Sequence, residues 1–100
     1  PDHVALEWQH LRDLNIPDRV ILTIQASRKP SMIRIYDATW KVFCNWCQKA
    51  GRVPTSASVA DVLLFLQDGL DKGLSPNTFP HQVAALSTVI HWDFRSEPLW

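Results

Sequence analysis

The chain has 100 residues, 46% of them hydrophobic, with five tryptophans, only three glycines and two cysteines. That length carries one self-supporting core and that composition excludes a disordered or fibrous chain, so a single domain over residues 1–100 is expected. No apolar run is long enough to cross a bilayer, and PDHVALEWQH has neither the basic start nor the apolar centre of a signal peptide, so a soluble, membrane-free protein is expected. The formal charge is zero, but it is unevenly spread. From Arg19 to Val53 seven cations face Asp37 alone, a net of plus six, and each flank carries minus three.

Every long segment shows helical punctuation and none alternates as a strand does, which predicts an all-α bundle of four to five short helices. VALEWQHLRDL, behind Asp2 as N-cap, is the first helix, with Val4, Leu6, Trp8, Leu11 and Leu14 as its apolar residues and Asn15 and Pro17 closing it. Pro17 then opens a short second helix through RVILTIQAS, expected to bury Val20, Ile21 and Ile24. SRKP ends that helix as a basic hinge.

Ser31 is the expected N-cap of the third helix, SMIRIYDATWKVFCNWCQKA, which stops at Gly51. Tyr36, Trp40, Phe43, Cys47 and Ala50 fall within about 80° of arc and form its core face, with Ile33 and Met32 at the edges. Arg34, Ala38, Lys41, Asn45 and Lys49 lie opposite, a stripe with three positive charges.

Ser58 begins SVAD, a capping-box start for the fourth helix, which runs to Lys72 before Gly73. Its expected buried stripe is Val59, Leu63, Leu66 and Leu70, with Val62 alongside. Asp61, Gln67, Asp68, Asp71 and Lys72 form the solvated reverse face, and Leu64 among them suggests a contact with another segment. SPNT leads into a fifth helix with a loose first turn and firm structure from about Pro80 to His91. Phe79, Val83, Leu86 and Ile90 are its predicted core, and His81, Ala84, Ala85 and Thr88 its outward face.

The C-x-x-C spacing of Cys44 and Cys47 raises zinc and thiol redox chemistry. Zinc would need two more ligands, and His3, His10, His81 and His91 offer no second half-site. A redox pair belongs at a helix N-terminus, where the dipole lowers the thiol pKa, and this pair sits in the second half of its helix. Both cysteines are therefore expected to serve packing, and the pair closes too short a loop to staple the chain, so a reducing compartment is assumed. Carboxylates are scattered, no glycine-rich cradle holds phosphate, and no serine has a motif-placed histidine, so no catalytic residue, metal, cofactor or small-molecule substrate is assigned.

Nucleic-acid binding has more to support it. Arg28 and Lys29 precede the third helix, where free backbone amides attract phosphate, and Arg34, Lys41 and Lys49 continue along its outer face with Asn45 between them. An ordinary solvated helix face accounts for the same stripe equally well.

The run S-x-x-R-x-Y-x-x-x-W-x-x-F-x-x-W-C, from Ser31 through Arg34, Tyr36, Trp40, Phe43, Trp46 and Cys47, followed by VADVLLFL, GLSPNT and QVAALSTVI, resembles the N-terminal core-binding domain of tyrosine recombinases. It is most similar to the integrase-like recombinases of DIRS-type retroelements, over about residues 17 to 92. The resemblance implies a SAM-like helical bundle that joins a separate catalytic domain to clamp duplex DNA, in an intracellular, nuclear protein of DNA integration or recombination. Ser31, Arg34, Lys41 and Asn45 would supply one DNA-facing surface, and Thr78, His81 and Thr88 another. Neighbouring subunits on DNA would also touch. The family's catalytic residues belong to the following domain, and Tyr36 reads as a core residue. The chain departs from the pattern after S-P-x-T, where Phe79-Pro80-His81 stands in place of basic residues and weakens DNA contact at that helix. The opening proline and the final FRSEPLW suggest a piece of a longer protein. The rival expectation is a non-catalytic protein-interaction module, host-adapted or decayed, using Leu64, Trp46 or the Trp92 to Trp100 tail.

Overall fold

In a computed structural model describing residues 2–90, five α-helices appear in chain order: α1 (His3–Asp13), α2 (Asp18–Ala26), α3 (Pro30–Lys49), α4 (Val59–Asp71) and α5 (Phe79–Ser87). Single 3₁₀ turns at Pro54–Ser56 and Pro76–Thr78 lead into α4 and α5, and no strand occurs among the described residues. The all-α expectation is met. α5 stops at Ser87, short of the predicted end at His91, and the Trp92 to Trp100 tail lies outside the described residues.

Three helices end in the same way. Asn15, Gly51 and Gly73 take positive φ values of 63°, 70° and 105°, and the next residue's N–H reaches back to the carbonyl five positions earlier. Those bonds are Ile16 to Leu11 at 3.1 Å, Arg52 to Cys47 at 2.8 Å and Leu74 to Gly69 at 3.0 Å. This closure satisfies the last carbonyls, and it needs a residue that tolerates the left-handed region. At the other ends, Asp2 caps α1 by accepting from the Ala5 N–H at 2.9 Å. Ser58 and Asp61 form the predicted reciprocal capping box on α4. The start of α3 differs from expectation. Lys29 is the N-cap residue and Pro30 occupies the first turn, where its fixed φ favours the helix and its missing N–H costs nothing, so Ser31 is not the cap.

The long α3 is the hub. Trp40, Phe43 and Cys47 are fully buried along the predicted stripe, while Ala50 is exposed. α5 lies closest to it, because Ala85 is small enough to let the backbones approach. The Trp40 indole N–H donates to the buried Ala85 carbonyl at 2.8 Å. α4 adds Val62, Phe65 and Leu66, with the Phe65 ring edge-on to Phe43 at 5.0 Å and to Trp46 at 5.8 Å. Leu86, Val89 and Ile90 complete the core.

Several predicted burials are corrected. α4 buries Phe65 where Leu63 and Leu70 were expected, and these two are only half-buried. Asp61 is buried, since its carboxylate serves both the cap and Arg52 at 3.1 Å. Ala85, assigned to an outward face, is fully buried. In α1 and α2, Val4, Leu14 and Val20 are exposed, and the buried residues are His3, Glu7 and Ile21. Leu64 is 57% exposed amid polar neighbours, as predicted.

Candidate nucleic-acid interface

The outer face of α3 carries the predicted stripe: Arg34, Lys41, Asn45 and Lys49 are all exposed. At 1.5 Å rise per residue, Arg34 to Lys49 extends roughly 22 Å. Lys29 is exposed at the head of the same helix. Lys41 shares its ammonium with Asp37 at 3.3 Å, an exposed pair one turn apart that contributes little and leaves the cation accessible. Among the described residues, Lys29, Arg34 and Lys49 make no ion pair. These are the groups that can meet an anionic surface.

Two of the seven cations of the basic middle are consumed by acids from the flanks. Arg52 pairs with Asp61, and Arg28 with Glu7. Arg28 was expected to stand free beside the α3 N-terminus; instead its guanidinium donates twice to Glu7, at 2.7 and 3.0 Å, beneath α1 and against the Tyr36 ring at 5.1 Å. The neutral total is thus partly spent inside the fold.

The second expected surface divides. Thr78 and His81 lie across a shallow channel from α3, so residues far apart in sequence share one face with the stripe. Thr78 is half-buried and its hydroxyl donates to the Ser75 carbonyl at 2.7 Å, while His81 is exposed. Thr88 is elsewhere. It sits past the far end of α5, half-buried, with its hydroxyl bonded to the Ala85 carbonyl at 2.7 Å and to His3 Nε2 at 2.6 Å. It does not join the α3 stripe.

The channel has two neighbouring parts, of about 380 and 400 Å³, both lined by Val42, Leu74 and Gln82. Its floor is apolar, with Ile35, Val42 and Leu74 respectively 38%, 56% and 45% exposed. Pattern reading of α3 alone does not find it, because it exists only once α5 and the Leu74 turn stand beside the helix.

On the opposite side lies a polar cluster that the apolar pattern of α1 does not reveal, although His3 and Glu7 are four apart and so share a face. His3 is 1% exposed, stacked on Trp40 and edge-on to Tyr36, with its backbone N–H on Asp37 at 3.3 Å. Burial holds its pKa below the ordinary value, against the opposing pull of Glu7. For Glu7 burial acts upward, but the hydrogen bonds and charge of Arg28 outweigh it and the carboxyl titrates low. The Arg28 pKa is raised by the same bonds. The His3 N–H and Lys41 hold Asp37 low.

Among the described residues no cluster of three His, Cys, Asp or Glu side chains could hold a metal ion. Both cysteines are free. Burial raises the thiol pKa of each, Cys47 to about 11, which makes them packing residues rather than nucleophiles at neutral pH. No helix among the described residues is long and apolar enough to cross a membrane. No family model, curated protein or solved structure matches the chain.

Proposed function

We propose that the chain binds duplex DNA through the outer face of α3, as the core-binding clamp domain of a tyrosine recombinase or integrase-like protein, with no catalysis of its own. The observation that carries this reading is the exposed row Arg34, Lys41, Asn45 and Lys49 along one helix, opposite the buried Trp40, Phe43 and Cys47, with Lys29 exposed at the helix head. Cations at this spacing meet phosphates along a groove edge, and Arg34 and Asn45 have the donor and acceptor geometry for purine edges. The ordered motifs from Ser31 to Ile90 support the family assignment.

A labelled duplex titrated at two salt concentrations tests it. Substituting both Arg34→Ala and Lys41→Ala should weaken binding and flatten the plot of log K against log salt by about two units, one per lost phosphate contact. Equal affinity and slope for the double variant would refute the assignment. The apolar floor of the adjacent channel favours a second reading, a protein-interaction module. Failure of the parent chain to bind duplex at low salt would select it.

A further inference from the structure

We propose that the channel between α3, the Leu74 turn and the start of α5 is a docking site for an amphipathic helix with acidic flanks, supplied by another polypeptide. Three exposed apolar side chains, Ile35, Val42 and Leu74, are brought into one concave strip by elements from different parts of the sequence. A concave apolar floor suits the apolar ridge of a helix, read out as anchors three or four residues apart. A duplex presents its charges on convex ridges and has little to bury there.

The banks set the partner's charge. Lys49 and Lys72 line one part of the channel, and Arg34 and Lys41 continue the cationic edge on α3. Asp68, the carboxylate in the lining, is held by Lys72 at 3.0 Å, and Asp37 beside the stripe is held by Lys41. A cationic excess therefore remains around an apolar floor. The strip from Ile35 to Lys49 is roughly 21 Å long, which accommodates a helix of about fourteen residues. Basic banks raise the association rate of an acidic helix and reject a basic one. This proposal does not rest on DNA binding, but the two ligands share Arg34, Lys41 and Lys49 and would compete.

The test uses the full chain and two fluorescein-labelled peptides of about fourteen residues, both with leucine at helical anchor spacing, one otherwise glutamate and one otherwise lysine. In fluorescence anisotropy the glutamate peptide should bind and the lysine peptide should not. Val42→Glu should weaken the glutamate peptide at least about tenfold while leaving the thermal melt in place, because its side chain is more than half exposed, and Leu74→Glu should weaken it as well. Lys49→Glu should weaken it as well. The proposal is overturned if the glutamate peptide fails to bind at about 100 µM, or binds no better than the lysine peptide. It is equally overturned if Val42→Glu leaves the affinity unchanged. Two alternative occupants complete the outcomes. If Val42→Glu abolishes duplex binding and no peptide binds, the channel belongs to a nucleic-acid surface; if it converts a self-associating chain to monomer and no peptide binds, the occupant is a second copy. Either result rejects the acidic partner.

Discussion

Replacing Glu7 by glutamine tests whether α1 is held by charge. The two guanidinium bonds from Arg28 measure 2.7 and 3.0 Å, and the Glu7 side chain is almost wholly enclosed. Unit charges about 4 Å apart attract by about 4 kcal/mol at an effective dielectric near 20, and desolvation of both ions offsets much of that. The net worth of the pair is therefore small, while the cost of breaking it from one side is large, because Arg28 stays buried without its counterion. One-sided removal of a buried pair costs about 3–5 kcal/mol, and the residual exposure of Arg28 and the Tyr36 face beside it place this case near 3. For a domain of this size that lowers the melting temperature by about 12 °C or more, read by circular dichroism or urea titration. Exchanging both partners for apolar residues, Glu7→Leu with Arg28→Met, should recover most of the loss. A Glu7→Gln variant within about 1 kcal/mol of the parent, or a double variant as unstable as the summed singles, would refute a charge-held α1.

Other outcomes follow from the same geometry. Because burial depresses the His3 pKa, the unfolded chain takes up that proton first as pH falls below its ordinary value of 6.5; stability should decline as pH falls from there, and His3→Gln should flatten that limb in urea titrations. The depressed carboxyls of Glu7 and Asp37 act lower down, their contribution being lost only as pH falls below their ordinary values of 4.5 and 3.8. Ser58→Ala should cost about 1 kcal/mol in thermal melts by removing half of the α4 capping box. Aromatic disulfide reagents at neutral pH should label Cys47 only on unfolding, and rapid native-state labelling of Cys47 in a Cys44→Ala chain would contradict its burial and raised pKa.

What the sequence disclosed depended on whether burial and hydrophobicity coincide. α3 was legible because its core face is apolar and aromatic while its reverse is charged, so one phase satisfies both patterns. α1 was not, since the groups it buries are an imidazole and a carboxylate, which pattern reading assigns to water. In α4 the run VLLFL is apolar on most sides, leaving the phase to be set by where Phe65 meets Phe43 and Trp46. Asp61 was assigned to the solvated face even though SVAD already gave it the Ser58 N–H, because its second partner, Arg52, becomes visible only in three dimensions. The α3 stripe was read residue by residue, but the channel beside it was not, for it is a property of two helices and a turn.

The bond between His3 and Thr88 joins positions 85 residues apart. A contact of that span is favourable only after the intervening chain is already organised, because loop closure must be offset by structure within the loop. On that ground α3, α4 and α5 should assemble through Trp40, Phe43 and Phe65 before α1 settles onto their surface. Its amides should accordingly be the first to exchange with deuterium under native conditions, at an opening free energy below that of the α3 core. α1 is then a separately detachable layer, and its release would uncover the Trp40 and Tyr36 rings without unfolding the bundle that presents the cationic face.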